Sequence, residues 1–372
     1  MIKIYIITER RADYSRFKPI LDLINKDDQL EYILTVTGAH LKKEMGYTKN
    51  EIIDDGFKIH YEIDMFTETN DSGGAMVRAF SRVADKITNT LEESKPHLIL
   101  AGFDIGANLA ATIAGAHMNI PVAHIQGGEV TGTIDESIRH AMTKFSHYHF
   151  ASNEDAKERL IKLGELPQNI FNVGCPSIDA IMSIKDDQSI LDDFDLKVDD
   201  YFILLQHPVT SEFENSKAQI LTTIAALEKS KVNVLVILPN NDAGYSKIIK
   251  ELKNSNFKLV ESLSLSQYVN LLKRSSGLIG NSSSGIHETS SFDIPTINIG
   301  TRQMGRLRAK NVIDVSHDKE EIVNAIQECV SIKKNKIQFE NPYGDGKSSR
   351  KIIDIIKKLD LSKKIIQKRI TY

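Results

Sequence analysis

Ile2-Lys-Ile-Tyr-Ile-Ile-Thr8-Glu-Arg-Arg-Ala-Asp13-Tyr-Ser-Arg-Phe-Lys-Pro-Ile-Leu-Asp-Leu-Ile-Asn25 opens the chain and sets its architecture. Ile2–Thr8 is a nearly continuous β-branched run, the mark of a strand buried on both faces. Arg16–Asn25 places Phe17, Ile20, Leu21 and Ile24 at helical spacing. Strand, charged turn, then helix is half of a βαβ unit. The pattern continues outward with strands at Leu30–Thr37, His97–Ala101, Ile120–Ile125, His147–Ala151 and Ile170–Val173, and an alanine-rich helix from Ala107 to His117. It restarts with strands at Tyr201–Gln206, Val232–Leu238, Lys258–Glu261, Gly277–Gly280, Thr296–Ile299 and Asn311–Val315. Helices are expected at Ala218–Lys229, Leu263–Arg274 and Ser348–Lys358. Strands alternating with helices predict parallel sheets covered on both faces.

The 372 residues suit two domains of ordinary size. Polar, Asp-rich Ser183–Asp200 marks the expected junction, giving an N-terminal Rossmann-like domain over 1–183, a second over 184–350, and a C-terminal helix and tail over 351–372, expected to pack back on the first. The fold class is α/β, two doubly wound domains in a GT-B-like arrangement, with a cleft expected between them. A net charge of −3 argues against nucleic acid as a partner. No apolar run approaches the ~20 residues of a membrane span, and the short apolar start lacks the flanks of a signal peptide, so a cytoplasmic protein is expected. Two cysteines, Cys175 and Cys329, make neither a disulfide framework nor a metal-type spacing.

In open parallel sheets ligands gather at the carboxyl ends of strands, and several charged clusters fall there. Thr8-Glu-Arg-Arg11-Ala-Asp13-Tyr-Ser15 reads as an anion-binding loop feeding a helix N-terminus, or as a turn in which Asp13 or Ser15 caps the helix. It holds no GxGxxG, which weakens a nicotinamide reading. Gly102-Phe-Asp104-Ile-Gly106-Ala-Asn108 offers a carboxylate at a strand end or a helix cap. His124-Ile-Gln126-Gly-Gly-Glu129-Val-Thr-Gly-Thr-Ile-Asp135-Glu136-Ser-Ile-Arg139-His140 packs acids, Arg139 and His140 around a Gly-Gly turn; Asp135 and Arg139 also suit a helix-surface pair. Gln206-His207-Pro208-Val-Thr210 places a histidine where it could meet a phosphate, exchange a proton, or be structural. Leu238-Pro-Asn240-Asn-Asp242-Ala-Gly244 is a turn-rich loop. Gly280-Asn-Ser282-Ser283-Ser-Gly285-Ile-His287-Glu288 reads as a diphosphate cradle or a Ser-rich cap. Gly300-Thr-Arg302-Gln-Met-Gly305-Arg306 supplies cations at a strand end.

In this order, over nearly the whole chain, these stretches resemble the hydrolysing UDP-N-acetylglucosamine 2-epimerases. Those that carry the resemblance are Arg11-Ala-Asp-Tyr-Ser15, Gly-Gly-Glu129, Gly132-Thr-Ile-Asp135, Ser137-Ile-Arg-His140, Gln206-His-Pro-Val-Thr210, Pro239-Asn, Asp-Ala-Gly244, Gly280-Asn-Ser-Ser283 and Gly300-Thr-Arg-Gln303. The resemblance implies uridine diphosphate held through Ser282, Ser283, Glu288 and Arg302, with Arg11, Ser15, Arg139 and Asn240 as further substrate contacts and His207 near the diphosphate. It implies no metal, no redox cofactor, and a homodimer or homotetramer. The implied chemistry eliminates UDP to a glycal and then adds water, with catalytic positions at Asp104, Gln126, Glu129, Asp135 and His207. The chain departs from the family pattern twice: Ile105 stands where an arginine is usual, and Gln126 where a glutamate is usual. Glutamine cannot hold and pass a proton, so Glu129 or Glu136 is the expected substitute. Two alternatives stay open beside a hydrolysing epimerase: a variant UDP-sugar enzyme with another substrate or a non-hydrolysing outcome, and a UDP-sugar-binding protein with little turnover.

Overall fold

A computed structural model describes the chain except residues 68–72, 104–105, 132–133 and 240–243. Two compact units emerge, one from residues 1–129, 134–180 and 346–372, the other from 130–133 and 181–345.

The first unit holds seven parallel strands: β1 (Ile2–Thr8), β2 (Leu30–Thr37), β3 (Tyr61–Ile63), β4 (Leu98–Gly102), β5 (Val122–Ile125), β6 (Tyr148–Ala151) and β7 (Ile170–Asn172), in the order β3-β2-β1-β4-β5-β6-β7. Side chains alternate across a strand, and β1 shows why both faces must be covered. Ile4 and Ile6 enter one core cluster with Phe17, Ile20, Leu21 and Ile24 of the helix Arg11–Ile24. Tyr5 and Ile7 enter the other, against Ala107, Ala110, Ala111 and Ala114 of the helix Gly106–His117. Small residues on that helix let it lie close to the sheet. At Gly115 a Cβ would stand 2.7 Å from Val122 and 2.8 Å from Ile99.

The second unit repeats the plan with β8 (Tyr201–Leu205), β9 (Asn233–Ile237), β10 (Lys258–Val260), β11 (Gly277–Gly280), β12 (Thr296–Ile299) and β13 (Val312–Val315), ordered β10-β9-β8-β11-β12-β13. Phe202 and Leu204 face one cluster, Tyr201 and Ile203 the other. In each sheet the strand order reverses beside the first strand, between β1 and β4 and between β8 and β11. Such a reversal opens a crevice at the strand ends.

The elements outside the expected set include the short edge strand β3 and the long helices Gly73–Ser94 and Lys319–Lys334, with shorter helices such as Glu154–Lys162 and Tyr245–Lys253. The helix Arg11–Ile24 also begins a turn earlier than its apolar spacing indicates, because Asp13 accepts hydrogen bonds from the backbone N–H groups of Glu9 (2.9 Å) and Arg10 (2.8 Å). Asp13 is thus the residue that ties down this helix start, as a capping carboxylate does, while the Ser15 hydroxyl donates to the Ala12 carbonyl at 3.1 Å.

The chain returns to the first unit through the helix Ser348–Ile356, whose Ile352, Ile353 and Ile356 join the Phe17 cluster. Its start is held by Asp179, which accepts from Ser348 N–H (3.0 Å) and Ser349 N–H (2.6 Å). Asp179→Ala leaves two buried donors unpaired and should cost about 1–2 kcal/mol. Urea unfolding measures it, and an unchanged midpoint would refute this capping role.

Candidate functional site

At the reversal in the second unit, Asn281 follows β11 and His207 follows β8. The Asn281 amide clasps the backbone of His207 twice: His207 N–H donates to Oδ1 at 2.7 Å, and Nδ2 donates to the His207 carbonyl at 2.8 Å. Both residues are buried. The Asn281 carbonyl then accepts from Arg302 Nη1 (3.2 Å) and Gln303 Nε2 (2.9 Å), which tethers the turn after β12 to the same point. His207, Asn281 and Arg302 therefore converge from three adjacent strands. Burial, with the Arg302 charge beside it, lowers His207 to about 3. Its ring is neutral at physiological pH and acts as a hydrogen-bonding group there.

Ser282 and Ser283 are half-buried at the head of a helix of four residues, Ser284–His287. So short a helix brings little dipole. What this turn presents instead is its amides and hydroxyls. Ser282 Oγ accepts the Ser284 N–H at 3.3 Å, the capping contact weighed against a cradle. Glu288 accepts from Ser284 Oγ at 2.6 Å, and Ser284 Oγ is in turn bonded to the Tyr268 hydroxyl. Burial and the Glu288 charge push Tyr268 upward, so its phenol stays protonated. Tyr268 had no motif to announce it, and Ser284 stood within the serine run without a role of its own; their link to Glu288 is visible only in three dimensions. Asn240 lies outside the described residues.

At the reversal in the first unit, Glu9 follows β1. It is buried and accepts from Ala107 N–H at 3.1 Å; desolvation raises its pKa, opposed by Arg10. Arg11 is exposed and paired with Glu51. Asp104 and Ile105 lie outside the described residues. After β4 and β5, Phe103 (φ +71°) and Gln126 (φ +61°) both adopt the left-handed backbone region, which bulky residues rarely enter and which costs about 1–3 kcal/mol each. Such strain on neighbouring strand ends aims two side chains at one place. Gln126 Oε1 accepts from Arg16 Nη1 at 2.9 Å, and Nε2 donates to Cys175 Sγ at 2.8 Å.

The Gly-Gly turn is required sterically. At Gly128 (φ +80°) a Cβ would sit 2.3 Å from the Ala156 carbonyl. Beyond it, buried Glu129 accepts from Ser152 Oγ, and its carbonyl accepts from buried Arg139 Nη1 at 3.0 Å. Asp135, half-buried, stands in the first turn of the helix Ile134–Phe145. His140 lies 3.7 Å from Glu136. His124 is wholly buried between the Phe103 carbonyl and Thr143 (both 3.3 Å), and burial lowers it to about 3. Among the described residues no group of His, Cys, Asp and Glu side chains is placed to hold a metal, and no helix is long and apolar enough to cross a membrane.

Two doubly wound sheets, each with polar side chains gathered at its reversal point, define a nucleotide-type α/β protein. Residues 22–357 match the family described as UDP-N-acetylglucosamine 2-epimerase, and the chain belongs to that family of enzymes. It is 35% identical over 98% of both chains to a protein of Legionella pneumophila named UDP-N,N'-diacetylbacillosamine 2-epimerase (hydrolyzing). It is 32% identical to a UDP-N-acetylglucosamine 2-epimerase of Neisseria meningitidis, covering 93% of this chain and 92% of that one. Among solved structures, the Neisseria meningitidis UDP-GlcNAc 2-epimerase bound to UDP-GlcNAc superposes with a TM-score of 0.82, at 21% identity, covering 96% of this chain and 100% of that one. The Methanocaldococcus jannaschii enzyme, in complex with UDP-GlcNAc and UDP, gives a TM-score of 0.80 at 20% identity, with 96% and 100% covered.

Proposed function

We propose that this protein is a hydrolysing 2-epimerase of a UDP-2-acetamido sugar, UDP-N-acetylglucosamine or its relative UDP-N,N'-diacetylbacillosamine. The observation that carries this reading is the likeness, over almost the whole chain, to a relative named as hydrolysing. The geometry supports it. Amides and hydroxyls at Ser282 and Ser283, the Arg302 guanidinium and the neutral His207 ring suit a diphosphate, and Glu288 suits a ribose diol. Arg11, Ser15, Arg139 and Asn240 are assigned as further substrate contacts.

In the first stage a base takes the proton from C2 while the C1–O bond to the diphosphate breaks. The electron pair of the C–H bond becomes the C1–C2 double bond of a 2-acetamidoglycal, and UDP departs with the electrons of the C–O bond. In the second stage a water hydroxyl adds to C1 and a proton to the opposite face of C2, giving the free 2-epimer. Asp104 and Asp135 carry the proton transfers, with Glu129 or Glu136 in place of the third carboxylate. Hydrogen bonds from Arg302 and His207 take up the charge that develops on the leaving diphosphate.

The test is to incubate the protein with UDP-N-acetylglucosamine and with UDP-N,N'-diacetylbacillosamine and follow products by NMR. UDP plus a free 2-epimer is expected from at least one. A 2-epimer still joined to UDP would make the enzyme non-hydrolysing. Tight binding without turnover would make it a UDP-sugar-binding protein, the reading that neutral Gln126 favours.

A further inference from the structure

Arg16 belongs to none of the motifs above, yet it is the best-placed cation at the strand ends of the first unit. It projects from the second turn of the helix Arg11–Ile24. Its guanidinium carbon lies 4.9 Å from the centroid of the Phe103 ring, and Nη1 donates to Gln126 Oε1. Among the described residues that amide oxygen is its one hydrogen-bond partner, and no carboxylate pairs with it. The residue is only half-buried, so it is not sealed from solvent. Both holders, Phe103 and Gln126, sit on left-handed backbone; strain of this kind persists where the surroundings over-determine it.

The amide orientation of Gln126 follows from its neighbours. Arginine only donates, so Oε1 must face it, which turns Nε2 toward Cys175 Sγ. That thiol also contacts Ser177 Oγ at 3.0 Å. Burial pushes it up to about 11, so it stays neutral and does not compete for the arginine charge. A carboxylate at position 126 would instead form an ion pair with Arg16 and consume that charge.

We infer that Gln126 is a positioning residue: its neutral amide holds Arg16 over Phe103 as a cation for the anionic part of the substrate, with no carboxylate on it among the described residues, and position 126 passes no proton in the reaction. This rests on the UDP-sugar reading above and deepens it. It also reverses the expectation that Gln126 is a defect, a carboxylate lost from a catalytic set.

A double-mutant cycle tests the inference. Gln126→Glu should lower kcat/KM for the UDP-sugar by roughly tenfold or more, chiefly through KM. Arg16→Gln should lower it at least as far, and Arg16→Lys should restore part. In the Arg16→Gln background, Gln126→Glu should add no further loss, because no cation remains to be trapped. A gain in kcat on Gln126→Glu, or losses that simply add in the double variant, would overturn the inference. If the parent protein neither binds nor turns over a UDP-sugar, the functional reading fails first. The clasp is then read from a crystal structure of the Gln126→Glu variant: the inference expects the new carboxylate on Arg16, and a carboxylate turned away from Arg16 overturns it whatever the substrate.

Discussion

Replacing Gly280 with alanine should destabilise the protein by about 3 kcal/mol or more and abolish nucleotide binding. Gly280 ends β11 with φ +133°, backbone that L side chains rarely adopt. A Cβ there would stand 2.1 Å from the Leu205 carbonyl oxygen and 2.6 Å from its carbon. Those atoms are backbone of β8, paired in register with β11 through Leu205 and Gly280 themselves. No flexible side chain can move aside, so the strand ends must part. The Asn281 clasp on His207 spans that same gap and would open with it. Gly56→Ala is the control. Gly56 has φ +85° and nothing within 4 Å of an added Cβ, so only the conformational strain of about 1 kcal/mol is expected. Urea unfolding of both variants, with UDP titration of each, reads the two effects. Similar midpoints for the two would mean that the close approach at Gly280 costs nothing.

The parts of this architecture that were legible in the sequence are those dictated by local physics. β1, β2, β11 and β12 begin and end where their apolar runs do, because a doubly covered strand must be apolar on both faces. β3 has three residues at a sheet edge and leaves no comparable trace. The strand ends were legible as places where polar clusters collect, but contacts within them were not. Arg16 and Gln126 are 110 residues apart, and Gln126 and Cys175 are 49 apart; no periodicity relates them. The left-handed backbone at Phe103 and Gln126 was equally hidden, since glycine is the usual signal for it and neither is glycine. Glu9 escaped notice for a related reason. It sat in a charged run, Glu-Arg-Arg, whose reading as an anion-binding loop gave the carboxylate no part, yet the fold buries it against the start of the helix Gly106–His117. Local chemistry told where to look; only the long-range pairing of strands told which side chains meet.

Three buried histidines lead to a second large effect, a steep loss of stability in mild acid. His40 is held near 4 by burial, and His124 and His207 near 3. All three are neutral in the fold, and each unfolded counterpart takes up a proton near pH 6.5. The unfolded chain therefore binds more protons throughout the window from about 4 to 6.5. The stabilisation is complete above the unfolded value and is lost as pH falls toward the folded one. Each histidine contributes a slope approaching 1.4 kcal/mol per pH unit, so the three together approach about 4 kcal/mol per unit near pH 5. Glu9 and Asp13 act in the opposite sense. Desolvation raises both, so the fold retains their protons at a pH where the unfolded chain has released them, and the slope is reduced. Glu165 adds to the histidines further down. Burial alone would raise it, but His149 and Lys368 outweigh burial and hold it near 2, so its contribution is lost only as pH falls below the ordinary carboxylate range. The expected net result is a urea midpoint that is flat from pH 8 to 7 and falls sharply between 6 and 5. His124→Gln isolates one term, since His124 lies between the Phe103 carbonyl and Thr143 and a glutamine amide can serve both without titrating. That variant should start less stable at pH 7 and lose stability less steeply below pH 6, by close to one proton. An unchanged slope would mean that His124 is not the buried neutral group its surroundings require.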